Sequence, residues 1–265
     1  MEICLHAGLR YDGAMAVHDF CAQRLFLDAP LHPGGEVALT RDQANYLRNV
    51  LRLADGDQLL VFNGNDGEWS ARLACKGKRD AALLIGDRTR SQTPPGQLAY
   101  LFAPLKRARL DYMVQKAVEM GVGRLAPVVT RRTVAERVNL DRMRANAVEA
   151  AEQCGILSLP EIDTPQRLEQ AIAAWSLDVP LVFCDENAAT ADPITVLSGL
   201  REGMTSPARI GVLIGPEGGF DPAERELLLR QPFVVPISLG PRIMRADTAA
   251  VAALALVNAV LGDWR

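Results

Sequence analysis

Two short segments near the end of the chain combine residue types that let a main chain hold a ligand. Ile214-Gly215-Pro216-Glu217-Gly218-Gly219-Phe220 follows the apolar run Ile210 to Ile214. Leu239-Gly240-Pro241-Arg242-Ile243-Met244-Arg245 follows another run, Phe233 to Ile237. Glycines in such places let the backbone approach a ligand closely and present its own N–H and C=O groups. Each segment lies between an expected buried strand and an expected helix, and in open α/β sheets ligands bind beyond the carboxyl ends of the strands. Two such loops, about 25 residues apart, predict one pocket built mainly from main chain. Phosphate is a poor guest for it: no Gly-Lys-Ser/Thr follows Gly215, the three-glycine dinucleotide spacing is missing, and Glu217 would repel an anion. A neutral or cationic ligand fits better. By spacing alone, the same glycines also suit tight turns that only let a strand pack on its helix.

The elements that must position these loops can be read from the rest of the chain. Its 265 residues suffice for one large domain or two smaller ones, and 49% hydrophobic content supports a packed core. The longest apolar stretch, Ala249 to Val257, is too short to span a membrane. Residues 1–20 lack the apolar core of a secretory signal and are expected to form a mobile extension. Five scattered cysteines, with no Cys-x-x-Cys pair, fit reduced thiols in the cytoplasm. All three histidines fall in the first 32 residues, at His6, His18 and His32. That excludes a Ser-His-Asp triad built within the C-terminal part and argues against a zinc site there. No metal is expected. Net charge is −3, yet Lys106 to Arg144 holds ten basic and four acidic residues. Such a local excess could neutralise several phosphates or simply solvate helix faces.

Residues 21–88 read as a small β-rich barrel. Short strands are expected at Arg24–Leu27, Glu36–Leu39, Gln58–Phe62, Trp69–Leu73 and Ala81–Ile85. A helix runs from a Thr40/Gln43 capping box to about Arg52. Residues 89–97 make a linker. From 98 to 265 strands alternate with helices, the pattern of a mainly parallel, helix-covered sheet. Strands are expected at Leu98–Ala103, Arg124–Val129, Leu181–Cys184, Ile210–Ile214 and Val234–Ser238. Helices are expected at Arg107–Met120, Leu140–Cys154, Pro165–Ala174, Pro193–Arg201, Pro222–Arg230 and Thr248–Leu261. Thr164-Pro165, Asp192-Pro193 and Asp221-Pro222 each place an N-cap oxygen before a proline with no N–H to satisfy. The final helix is apolar on nearly every side except at Asn258, as in a core or an interface.

Leu213 to Phe220, followed by Leu239 through Ala249, resembles the signature of the RsmE family, S-adenosylmethionine-dependent methyltransferases of the SPOUT class. The resemblance extends upstream to Lys106-Arg107-Ala108-Arg109-Leu110, to Gln115 through Val122, and to Glu149 through Gly155. It also takes in Arg24-Leu25-Phe26 and Leu47 to Arg52, which are similar to the family's PUA-like RNA-binding domain. It implies methylation of N3 of a uridine in 16S ribosomal RNA within the 30S subunit, a cytoplasmic homodimer, and a C-terminal trefoil knot. Alternatives of the same fold class are a ribose 2′-hydroxyl or another base as target, or a non-catalytic RNA-binding assembly factor.

A cationic cofactor suits loops without a phosphate lysine. By this resemblance the cofactor site comprises Leu213, Ile214, Gly215, Pro216, Glu217, Gly218, Gly219, Ser238, Leu239, Gly240, Arg242, Ile243, Met244, Thr248 and Ala249. Cys184-Asp185-Glu186 would add a third wall. Glu217 either faces the sulfonium or caps the helix that starts near Asp221. Uridine N3 becomes nucleophilic only when its proton leaves, so a base or a cation that stabilises the anion is required. Arg245 is the candidate for that electrostatic role, with a structural ion pair as the other reading. Asp247 is a base or, with Thr248, an N-cap. Arg242 meets RNA phosphate or a partner subunit. Arg24, Arg48, Arg52, Lys106, Arg107, Arg109, Lys116, Arg131 and Arg132 are the RNA-contact candidates. The chain departs from the family pattern at Ile156-Leu157, where an arginine is common, and at Asp247, where glutamate is more usual.

Overall fold

The structure, a computed structural model, describes residues 22–77, 80–134, 137–188, 192–201 and 209–264; the expected N-terminal extension lies outside them. They divide into two compact units: the described residues up to Pro94 together with Glu152–Ser158, and Pro95–Ala151 together with those from Leu159 onward. Element order in the first is β1 (Arg24–Phe26), β2 (Glu36–Ala38), α1 (Arg41–Asn45), a π-helical turn (Tyr46–Val50), β3 (Gln58–Phe62), β4 (Glu68–Cys75) and β5 (Ala81–Arg90). Then follow β6 (Leu98–Phe102), α2 (Arg107–Glu119), β7 (Val122–Val129), α3 (Leu140–Gln153), β8 (Glu161–Ile162), β9 (Gln166–Arg167) and α4 (Leu168–Ala173). The chain finishes with β10 (Leu181–Cys184), α5 (Pro193–Leu200), β11 (Ile210–Ile214), α6 (Pro222–Leu229), β12 (Val234–Ile237) and α7 (Ala246–Val260).

In the first unit the strand order is β1-β3-β4-β5-β2, with β1 parallel to β3 and the other ladders antiparallel. The expected barrel is a half-barrel: among the described residues no ladder joins β1 to β2. Both edge strands are only three residues long, which limits the backbone available for closure. Alternate residues of β4, Trp69, Ala71 and Leu73, face a core shared with Leu25, Leu47, Val61 and Leu83. Thr40 and Gln43 form the expected capping box, but the helix ends early in the π-helical turn. β5 runs on to Arg90, opposite Glu68, so the first two residues of the expected linker are strand.

Burial of charge organises one edge of this unit. Glu68, 4% exposed, accepts from Arg24 Nε at 2.9 Å and from Arg90 Nη2 at 2.7 Å. Arg24 then donates to the carbonyls of Glu152 and Ile156 at 3.0 and 3.1 Å, and Arg90 donates to that of Gly155 at 2.8 Å. These are carbonyls in and just beyond the last turn of α3, which need outside donors. The Arg24 guanidinium also lies 4.5 Å from the centre of the Phe62 ring. The expectation that Arg24 meets RNA is therefore corrected: its side chain is 6% exposed and its donors are occupied within the fold.

The second unit carries a sheet of order β12-β10-β11-β6-β7-β8, all parallel, with β9 pairing β7. β6 and β11 are buried at every residue, as in a parallel sheet covered on both faces. Leu181 stands opposite both Gly211 and Val234, which aligns the ends of β10, β11 and β12. Asp192 and Asp221 cap α5 and α6 as expected. Thr164-Pro165 does not start a helix. Gln166 and Arg167 instead pair with Val128 and Val129, and α4 begins at Leu168. Likewise α7 starts at Ala246 with Arg245 as its N-cap residue, so Asp247 lies inside the first turn and is not the cap.

Burial raises the Glu68 carboxyl, but hydrogen bonds and charge from Arg90 and Arg24 outweigh it and hold the value below the ordinary 4.5. A depressed folded value contributes stability that is present above about pH 4.5 and lost as pH falls through the folded value. Glu68→Gln should therefore lower stability by about 3 kcal/mol at pH 7, because it leaves two buried cations underpaired. The gap to the parent protein should narrow below about pH 4.5. Urea unfolding at pH 7 and at about pH 4 measures both effects.

Candidate functional site

Because every ladder of the second sheet is parallel, its strands deliver their following loops to one edge. The chain leaves β11 and returns as β12 on the far side of β10, creating the kind of switch in strand order at which a crevice opens. A cavity of about 280 Å³ lies there, near the lower end of ordinary small-ligand sites at roughly 300 Å³. Its walls come from the loops after β10, β11 and β12 and from the start of α7.

Of the residues expected at a cofactor site, Ile214 to Glu217 and Gly219 line the cavity, with Ser238 to Gly240, Arg242 to Met244 and Ala249. Three do not. Leu213 points to the opposite face of β11 and packs in the core with Phe183 and Leu228, as strand alternation requires. Gly218 directs its carbonyl to Arg132 Nη1 at 2.8 Å. Thr248 is exposed on the first turn of α7. Cys184, Asp185 and Glu186 supply the third wall. Desolvation pushes the Cys184 thiol up to about 12, which keeps it neutral.

The loop after β11 has a defined shape. Gly219 donates to the Pro216 carbonyl at 2.9 Å and has φ +69°, a conformation glycine adopts readily. At Gly215 a Cβ would lie 2.4 Å from Cε2 of Phe220, and Phe220 packs edge-on against Phe183 with ring centres 5.1 Å apart. Glu217 does not cap α6: Asp221 caps it, and Glu224 completes the capping box. The Glu217 carboxylate instead ion-pairs with Arg109 while still bordering the cavity.

Sequence reasoning did not find Arg225. Its Nε and Nη2 hold the buried Asp185 carboxylate at 3.0 and 2.8 Å, and the Asn187 N–H donates to the other oxygen of Asp185 at 3.0 Å. These contacts fix the loop after β10. The only hint in the sequence was an arginine one position after the capping Glu224.

The expected RNA contacts separate into two groups. Arg109 and Arg131 pair with Glu217 and Asp221, while Arg132 binds Gly218. Lys116 pairs with Glu119 in its own helix, and Arg48 donates to the Gly77 carbonyl at 3.1 Å. Arg52, Lys106 and Arg107 are exposed, as are Arg242 and the expected catalytic Arg245. Among the described residues these five make no ion pair. Asp247 accepts from the Thr248 N–H at 2.9 Å.

The lining fits a ligand with an aromatic or aliphatic body and charged ends. Ile214, Leu239, Met244 and Ala249 provide apolar surface, the glycine loops provide main-chain groups, Glu186 and Glu217 provide carboxylates, and Arg225, Arg242 and Arg245 provide guanidinium groups. Among the described residues that line the cavity there is no lysine. Among the described residues no cluster of three His, Cys, Asp or Glu could hold a metal, and no helix is long and apolar enough to cross a membrane.

Comparison with known proteins agrees with this geometry. Residues 92–258 match the family model of an RNA methyltransferase domain, and residues 39–85 match that of an RNA methyltransferase PUA domain. Ribosomal RNA small subunit methyltransferase E of Synechocystis is 32% identical over 85% of this chain and 73% of its own length. The Rickettsia conorii protein of the same name is 29% identical over 89% and 94%. Among solved structures, the enzyme of that name from Neisseria gonorrhoeae, bound to S-adenosyl methionine, is 25% identical. It superposes with a TM-score of 0.78 over 92% of this chain and 100% of its own. A Legionella pneumophila methyltransferase with bound cofactor is 26% identical, with a TM-score of 0.76 over 91% and 98%.

Gly215→Ala should cost about 1–3 kcal/mol, the usual penalty for overpacking, because the added Cβ overlaps the Phe220 ring, which packs edge-on against Phe183. Thermal denaturation measures it; an unchanged midpoint would mean that the ring is free to move.

Proposed function

The chain belongs to the ribosomal RNA small subunit methyltransferase E family, and from that premise we propose that it methylates N3 of a uridine in 16S ribosomal RNA with S-adenosylmethionine as donor. The observation that carries this reading is the cavity itself: main chain and apolar side chains from three loops, bordered by the carboxylates of Glu186 and Glu217 and by the guanidinium groups of Arg242 and Arg245. When bound there, the cofactor supplies an electrophilic methyl group on a sulfonium. Ile214, Leu239, Ile243, Met244 and Ala249 would enclose its adenosine, and the carboxylates of Glu186 and Glu217 would favour its positive charge.

The remaining task belongs to this chain's own residues. Uridine N3 must lose its proton, and negative charge then develops on O2 and O4. Arg245 is the candidate for that charge, a reading supported by its position on the cavity at the N-terminus of α7. A cation held where negative charge develops lowers the barrier to its formation. Asp247, whose carboxylate already accepts a backbone N–H, is the nearby candidate to take the proton. Arg242, Lys106 and Arg107 remain available for RNA phosphates. Lys106 and Arg107 follow β6, at the same carboxyl edge as the cavity loops.

The reading includes the homodimer and trefoil knot of the class, acting on ribosomal subunits in the cytoplasm. The helix α7 supports a partner surface: one side packs into the fold, while Val251, Ala252, Ala255, Leu256 and Val260 stay half-buried. An apolar face in this state is usual for an obligate interface.

Purified protein should transfer labelled methyl from S-adenosylmethionine to small subunits lacking the modification, with 3-methyluridine recovered on nucleoside digestion. Label in ribose or in another base would defeat the assignment of the target, and no transfer by folded protein would defeat the enzyme. Arg245→Ala should lower kcat about 100-fold and change cofactor affinity less than about twofold; equal losses would make Arg245 structural. Light scattering should give twice the 28.8 kDa chain mass.

A further inference from the structure

Three arginines close on the loop after β11 from outside the cavity. Arg109, in the first turn of α2, ion-pairs with Glu217. Arg132 Nη1 donates to the Gly218 carbonyl at 2.8 Å. Arg131 pairs with Asp221 at 2.8 Å, and its own N–H donates to the buried Glu224 at 2.7 Å. None of the three lines the cavity, whereas Glu217 and Gly219 do. The loop needs such restraint. Gly215, Gly218 and Gly219 offer no side chains to pack, and glycine loses more conformational freedom on ordering than any other residue. The turn bond from Gly219 N–H to Pro216 C=O leaves Glu217 and Gly218 at the tip, where Arg109 and Arg132 attach.

We propose that Arg109, seconded by Arg132, is a positioning residue for the cofactor wall. It holds the tip of the loop so that residues 215–219 keep their cavity-lining course before ligand arrives. The proposal rests on the reading of this cavity as the S-adenosylmethionine site. It reassigns a residue whose charge alone points to phosphate. Ordering the wall in advance lowers the entropic cost of immobilising it on binding. Arg109 and Glu217 have side chains 41% and 47% exposed, so the ion pair alone has a modest effect.

Calorimetric titration of the full-length protein with S-adenosylmethionine, without RNA, tests the cofactor side. Arg109→Ala should raise Kd about fivefold, equivalent to ~1 kcal/mol, and Arg109→Lys should recover most of the loss. In combination with Glu217→Gln it should be no weaker than Glu217→Gln alone, since that variant removes the same ion pair together with the carboxylate's own attraction for the cofactor. Affinity for 16S RNA at fixed salt should change less than about twofold. Unchanged cofactor affinity in Arg109→Ala, or losses that add in the double variant, would overturn the proposal. So would a selective loss of RNA affinity. Hydrogen exchange in the ligand-free protein provides a readout independent of the cofactor: the Gly218 and Gly219 amides should exchange about fivefold faster in Arg109→Ala. Unchanged exchange would also overturn it. A parent protein that shows no saturable cofactor binding would instead overturn the functional reading, and exchange would still decide the role of Arg109.

Discussion

The parallel ladder of the second unit is the constraint on which the rest depends. With every strand of that sheet running the same way, the loops after β6, β7, β10, β11 and β12 all emerge at one edge. Antiparallel pairing of any one strand would send its loop to the other end and remove a wall or a support. The register adds a second condition. Leu181 lies opposite both Gly211 and Val234, so the three cavity loops begin at the same height. Continuous burial along β6 and β11 keeps that register from slipping, because a shift would expose apolar residues or strand a backbone group.

Charge is distributed around this edge in a way that a local count misreads. Lys106 to Arg144 carries an excess of cations, but Arg109, Arg124 and Arg131 meet Glu217, Asp163 and Asp221, which come from elsewhere in the chain. Much of the apparent basic patch is therefore engaged in fixing loops and strands. Arg242 and Arg245 line the cavity, and Lys106 and Arg107 follow β6 at the same edge of the sheet; these four make no ion pair among the described residues.

The first unit shows the same pattern with a buried carboxylate. Glu68 neutralises two arginines so that they can enter the fold and satisfy carbonyls at the end of α3. The segment that receives them includes Gly155 and Ile156. The donors arrive from β1 and β5, both remote in sequence from the carbonyls they meet.

Much of this was legible from sequence for a physical reason: strands buried on both faces must be apolar throughout, and capping residues act within a few positions. Hence Leu181–Cys184 and Ile210–Ile214, the Asp192-Pro193 and Asp221-Pro222 helix starts, and the pairing of two glycine loops into one cavity could be read directly. Thr164-Pro165 misled because its cap signal is local, whereas the ladder from Gln166 and Arg167 to β7 is not. Leu213 and Ile214 share one strand, and only the packed sheet decided which of them faces the cavity. The partners of Glu217, Arg24 and Asp185 were settled in the same way, by Arg109, Glu68 and Arg225, each remote in sequence from the group it meets. Sequence determined which loops could hold a ligand; tertiary structure decided which charges hold the loops, because an ion pair depends on distance in space and leaves no periodic trace along the chain.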